Sequence, residues 1–533
     1  MRVTAGIALL LAVLGLLLAA CGDGDAEVEA QATVAAAVRA TAEAQPTVAP
    51  ALTPLRTPLA APAVLSTSPA IRADNSLIAE ISVTLDRPAQ VYVEYENAVA
   101  GRFRTMATAS PAKQHVVPVV RLRPSTAYRY QAFAIDEEGR VSAGVGGTFT
   151  TGELPEVLAA LEFAVEGRPT PELILLDHRD VASSYIVVLD GDSKIVWYYA
   201  SPNPLPDVPY AIMAVRQKPN YNLVYYVGNP PQPCCLREIT PTGEIVDSLS
   251  YSEFDGVPHH DHLVLPDNQV LYIASTHRII DDTAQGGDAE TPVEGDSLRI
   301  WDQDTGITRE VWNAFDSIGT DVRVHWAPGH GAGHSPPGGI PGQPSLRGAL
   351  KPIEWTVANS LSVGPRGNYI VSFLTLEQII SISPDFKRIE WTLGGPNSDY
   401  VFIDPNDRPY KFHSVSELPN GNLLIFDNGQ GRPEEEGGEY SRVIELVLDR
   451  YDLRVTKAWE YRPEPDLFAR IQSSAFRLDN GNTLVSFDTD PRVLVEVDES
   501  GAEVWKLVIS GTGRVRGYRA YPFSSIMGET LLK

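Results

Sequence analysis

Cysteine is nearly absent from this chain, with 3 in 533 residues, which excludes a scaffold built on disulfides. Two of the three are adjacent, Cys234 and Cys235, and read as either a buried reduced pair or a strained vicinal disulfide. Positive charge is also short. Lys and Arg number 43 against 68 Asp and Glu, a net −25, which excludes electrostatic attraction to nucleic acid or to an anionic membrane surface. Histidine is sparse, at 10. His259, His260 and His262 cluster, as do His325, His330 and His334 in a Gly/Pro-rich loop, but no cysteine or carboxylate stands near them at a recognised zinc spacing. The sequence therefore implies no metal and no cofactor, and the loop reads as a cover for one mouth of a channel. A long apolar run occurs only at residues 1–21, which is too short for a comfortable membrane span.

That segment, MRVTAGIALLLAVLGLLLAAC, has a basic start, an apolar middle and small residues before Cys21. It reads as a lipoprotein signal whose lipobox is Leu18-Ala19-Ala20-Cys21, with cleavage before Cys21 and lipidation of its sulfur. The alternative is an ordinary secretory signal with an incidental cysteine. Residues 22–64 are Ala-, Thr- and Pro-rich without an aromatic residue, so they cannot bury a core and read as a disordered tether. Residues 65–153 change character. Alternating strands such as VYVEYE, and Tyr128 in LRPSTAYRY at a corner where a hydroxyl ties back to the backbone, resemble a fibronectin type III β-sandwich.

Residues 154–533 carry a repeat. An apolar stretch, a turn of Pro or Asp with Asn or Gly, and a second apolar run recur five times. Counting back six residues from the turn at Pro219, Pro266, Pro365, Pro419 and Asp479 gives Met213, His260, Asn359, His413 and Ser473. A second signature of strand, turn and strand follows, as in YIVVLDGDSKIVWYY and IISISPDFKRIEW. Six such units roughly 50–80 residues apart predict an all-β fold with a six-bladed β-propeller, whose inner-strand starts collect one polar slot at the axis. The first blade shows no clear inner hairpin, with Glu172–Asp177 the only candidate. A neutral imidazole in such a slot, His413 above all, is suited to act as a nucleophile or general base.

From about Pro352 to Ile526 the chain resembles the bacterial arylsulfate sulfotransferase family, through EWTVANS, RIEWTLGG, KFHSV, IFDNG, SRVIEL and GYRAY in that order. The resemblance implies transfer of a sulfuryl group from an aryl sulfate to a phenol through a sulfated histidine, without a nucleotide donor. It implies His413 as that histidine. It also implies Asn359, one of His260 or His262, and Arg519 as substrate-binding groups. Two positions depart from the family pattern. Val357 stands where a histidine is expected, and Leu374 or Thr375 where an arginine is expected; Lys411, Arg442 or Arg519 are the candidates to compensate. The alternative is a propeller that kept the scaffold and binds a glycan, peptide or protein partner, with the fibronectin-like part as a further surface for a protein. A quinone-dependent propeller would repeat a tryptophan-docking motif in every blade, and none is present. The expected location is extracytoplasmic, lipid-anchored to the bacterial cell membrane.

Overall fold

The computed structural model describes residues 60–179, 184–201, 211–228, 235–250, 256–285, 288–322, 352–511 and 515–532. Cys21, the tether up to residue 59, Cys234 and the histidine loop at 325–334 lie outside them, whereas Val64, counted with the tether, opens the first strand. Among the described residues no helix is long and apolar enough to cross a membrane.

Six sheets radiate as blades of a propeller. The inner strands of blades 2 to 6 are Ala211–Gln217, Pro258–Leu265, Ala358–Val363, His413–Glu417 and Ser474–Arg477. The inner strand of blade 1 comes from the far end of the chain: Ala520–Phe523 pairs antiparallel with Leu173–Arg179. This corrects the expectation for Glu172–Asp177, most of which lies in the second strand of its blade. The ring is fastened a second time at its outer edge, where Glu162–Gly167 pairs with Glu503–Ser510 of blade 6.

Burial follows radial position. Second strands such as Leu423–Asp427 and Thr483–Phe487 are buried throughout, because neighbouring blades cover both faces. The outer strand Arg454–Tyr461 is largely exposed. The recurrent turns need a left-handed residue after the proline and asparagine. Gly421 supplies it at φ +86°, and the turn closes from Gly421 N–H to the Leu418 carbonyl at 2.8 Å. Blade 3 solves the same turn with Asp267 and Asn268, both at positive φ, a combination these two residue types tolerate.

The inner strands are stitched to one another in a single register. Backbone N–H groups of Leu361, Val415, Ala475 and Ala520 donate respectively to Asp261 Oδ2, Ser360 Oγ, Ser414 Oγ and Ser474 Oγ of the preceding blade, at 2.9 to 3.3 Å. Each acceptor directly follows a slot residue. By the same register Arg519 stands beside Ser474, so the sixth slot belongs to Tyr518.

Residues 64–150 supply six strands of a separate seven-stranded arrangement around the long strand Ala79–Asn97. Its first half pairs with Val64–Ile71 and Ala112–Val119, and its second half with Gly101–Arg104 and Ala127–Ile135. The Tyr128 hydroxyl accepts from Arg123 N at 2.9 Å. The C-terminal strand Thr530–Leu532 adds to this sheet beside Gly101–Arg104.

Candidate active site

The slot residues stand at the starts of the inner strands, at one end of the ring. From its own slot blade 1 reaches across the axis. The Tyr518 hydroxyl donates to the Asn359 carbonyl of the opposite blade at 2.9 Å, and Arg519 Nη2 donates to the same oxygen at 3.1 Å. Arg519 Nη1 lies 2.6 Å from Asp261 Oδ2, whose other oxygen receives Arg216 Nη2 at 3.0 Å. All of Asp261, Arg519 and Tyr518 are buried. Burial works against the charge of Arg519, but Asp261 beside it outweighs this and holds the guanidinium above its ordinary value. Burial likewise opposes the Asp261 charge, and Arg519 and Arg216 together keep its carboxyl below the usual range.

His413 lies above this layer and is 4% exposed. Its Nδ1 is 2.7 Å from Asn428 Oδ1. The Asn428 amide nitrogen donates to the carbonyls of Ala469 at 2.7 Å and Gln472 at 3.2 Å, so Oδ1 is left as the acceptor. Nδ1 of a neutral His413 therefore carries the proton, and the lone pair sits on Nε2. There it accepts a long bond of 3.3 Å from Gln472 N–H. Gln472 and Ser473 turn the backbone toward the ring by adopting φ +62° and +78°, uncommon for residues with a side chain.

His260 occupies the blade 3 slot, also at positive φ, with its ring 6.4 Å from that of Tyr518. Its Nδ1 is 2.8 Å from Nδ1 of His259, whose Nε2 is 3.0 Å from Asp296 Oδ1.

The other candidates are committed to the interior. The Asn359 amide donates to the Phe412 carbonyl at 2.9 Å and accepts from the Ser372 hydroxyl at 2.6 Å, and the residue is fully buried. Arg442 is held by Asp427 at 2.8 Å. Lys411 Nζ donates to the Leu374 carbonyl at 3.1 Å and lies 3.2 Å from Glu377. Val357 and Leu374 are neighbours, with Leu374 N–H donating to the Val357 carbonyl at 2.8 Å. Both side chains are buried, so the two family departures bring no charge to this part of blade 4.

His262 is fully buried, with the Val224 backbone beside its ring. Burial, with help from Arg216, pushes it down to about 3. Its folded pKa lies below the ordinary 6.5, so the unfolded chain takes up a proton that the folded one refuses. Stability that is present above about pH 6.5 is therefore lost as pH falls toward 3, at up to about 1.4 kcal/mol per pH unit. His262→Leu should flatten this acid slope, because it removes the titrating group. Urea midpoints at pH 7 and pH 4.5 should converge in the variant relative to wild type. An unchanged gap would show that His262 does not carry the slope.

Sequence reasoning missed three residues here. Asn428 was visible only as part of IFDNG, and Tyr518 only as part of GYRAY. Asp261 sits between two histidines that drew the attention. The usable signal was the repeat register, since Asp261 aligns with Ser360, Ser414 and Ser474.

Comparisons with known proteins bear on the whole ring. A family model described as Arylsulfotransferase (ASST) matches residues 164–507. The arylsulfate sulfotransferase AssT of Escherichia coli O6:H1 (strain CFT073) is 25% identical over 164 residues, covering 25% of this chain and 27% of that protein. The chain thus matches about a quarter of the length of that relative. Among solved structures, a protein of unknown function from Bacteroides caccae aligns at TM-score 0.38 and 12% identity over 67% of this chain and 100% of its own. Virginiamycin B lyase from Staphylococcus aureus aligns at 0.31 and 10% over 73% and 93%. Neither structural likeness is close enough to bear on function.

Proposed function

Because the chain belongs to the arylsulfotransferase (ASST) family, we propose that it moves a sulfuryl group from an aryl sulfate to a phenol at the mouth formed by His413, His260 and Tyr518. The observation that carries this reading is the His413–Asn428 pair, which fixes the proton on Nδ1 and points the lone pair at Nε2. Nε2 attacks sulfur, the S–O bond to the donor breaks, and its electron pair leaves with the phenolate. The histidine then bears a sulfuryl group on Nε2 with Nδ1–H still donated to Asn428. The oxygen of an acceptor phenol attacks the same sulfur, the N–S bond electrons return to Nε2, and the acceptor proton passes to the released phenolate. Splitting the transfer into two displacements is the advantage of covalent capture. His260 is placed to contact donor or acceptor, whereas buried His262 is not.

The test is incubation with 4-nitrophenyl sulfate and a phenol acceptor, following phenolate release and acceptor sulfation together. Donor given alone should leave a sulfated peptide spanning 411–429. The binding-propeller reading is favoured by one observation, that buried Val357 and Leu374 bring no charged group to blade 4; absence of release, transfer and peptide modification would overturn the enzyme reading.

Residues 65–153 are proposed as a fibronectin type III-like spacer that offers a protein-binding surface, and residues 1–21 as a lipoprotein signal that anchors the protein outside the cytoplasm through Cys21. Cys21→Ser should release the chain from membranes or block its processing. A variant found in the membrane fraction with wild-type mobility would rule the anchor out.

A further inference from the structure

Blade 1 ends its second strand on Arg179, at the same mouth as His413. Arg179 N–H donates to the Arg516 carbonyl at 3.0 Å, which holds the residue against the segment leading into Tyr518. Its guanidinium is poorly paired. Nε stands 3.6 Å from Asp177 Oδ2, too far for a hydrogen bond, and both Nε and Nη2 are buried without a partner. Asp177 is meanwhile occupied by the backbone N–H groups of Tyr518 and Arg519, at 2.7 to 3.0 Å. The third nitrogen, Nη1, donates to the side-chain oxygen of Gln472 at 3.1 Å when that amide is oriented to donate to Asp488 and the Gly517 carbonyl. Gln472 also gives its backbone N–H to His413 Nε2. One residue therefore touches both the lone pair of His413 and the guanidinium of Arg179.

The surroundings favour an anion. Arg492 is fully buried, and its hydrogen bonds go to the Asp177 and Arg519 carbonyls and to Ser486 Oγ. It lies under Gly517, where any side chain would overlap its guanidinium. Asp488 is matched by Arg516 at 3.0 Å. Arg179, Arg492 and Arg516 share two carboxylates here, Asp177 and Asp488, so this wall keeps an excess of positive charge. A guanidinium edge with two unpaired N–H groups is shaped for two oxygens of a tetrahedral oxyanion.

We propose that Arg179 is the anion-binding residue of this mouth: the Nε and Nη2 edge receives two oxygens of the sulfuryl group presented to His413, taking the part left vacant where blade 4 has Val357 and Leu374. This rests on the sulfotransfer reading for its substrate, but not for its anion site. A sulfate ester reaching Nε2 displaces the long Gln472 N–H bond, which frees that N–H to face a third sulfate oxygen.

The experiment uses the full-length chain in detergent with inorganic sulfate as the probe, by titration calorimetry, and 4-nitrophenyl sulfate as donor. Wild type should bind sulfate. Arg179→Gln should weaken sulfate binding and lower kcat/KM by on the order of 10²–10³-fold, while Arg179→Lys, which keeps a charge without the fork, should fall between the two. Thermal melting of both variants separates a lost site from a lost fold. If wild type binds sulfate and Arg179→Gln does not, yet no transfer occurs in either, the anion site stands and the sulfotransferase reading falls. If wild type transfers and Arg179→Gln matches it in KM and sulfate affinity, the reverse holds. A wild-type chain that binds no sulfate overturns the proposal outright.

Discussion

His413→Asn should abolish both phenolate release and acceptor sulfation, a loss on the order of 10³-fold or more, while the chain melts as wild type does. Asparagine nearly matches the imidazole in reach but offers no nucleophilic lone pair. The imidazole is held from both sides, by Asn428 on Nδ1 and by Gln472 N–H on Nε2, so the surroundings need little rearrangement when it is replaced. Loss of the sulfated 411–429 peptide should accompany loss of turnover. Full activity in the variant would remove His413 from the chemistry and leave His260 as the imidazole to examine.

The largest effect on stability is expected from Asp261→Ala. One buried carboxylate holds Arg216 from blade 2 and Arg519 from blade 1, and it also accepts the backbone N–H of Leu361 from blade 4 and of His262 in its own blade. Removing it leaves two guanidinium groups short of their carboxylate and two N–H groups without an acceptor. Breaking a buried ion pair from one side costs about 3–5 kcal/mol. Asp74→Ala is the contrasting control. Asp74 pairs with Arg72 at 2.7 Å, but its side chain is 66% exposed, so its loss should fall within about 1 kcal/mol. Urea denaturation of the two variants should therefore differ several-fold in destabilisation; equal effects would mean that the axial cluster contributes no more than a surface pair.

The repeat made the ring legible from sequence, because inner strands and their turns are local features. Pro419-Asn420-Gly421-Asn422 announces a hairpin on its own. The six-residue count also held together physically, since the inter-blade hydrogen bonds run through the residue after each slot. What could not be read locally is the closure. Ala520 pairs with Leu176, and nothing in either segment names the other, so the sixth slot, Tyr518, had no turn from which to count. Arg519 stood out as a cation for substrate, but the structure gives its charge to Asp261, a partner in another blade that no spacing connects to it. Asn359 is similar: its position in the slot was correct, and its amide is used between blades. Arg179 escaped notice because its interest lies in lacking partners, which is a property of packing and invisible in a string of letters.

The closure of the ring also sets an order of events for the chain. The inner strand of blade 1, the Tyr518 and Arg519 bridge and the last strand of the N-terminal sheet all come from residues 518–532. Until those few residues are available, blade 1 lacks its innermost strand, Asp261 lacks one of its two arginines, and Gly101–Arg104 presents an unpaired edge. Contacts of such sequence separation form late and slowly. A chain lacking residues 518–532 would have made nearly all of its blades and still lack the strand that closes the first of them and the bridge across the axis.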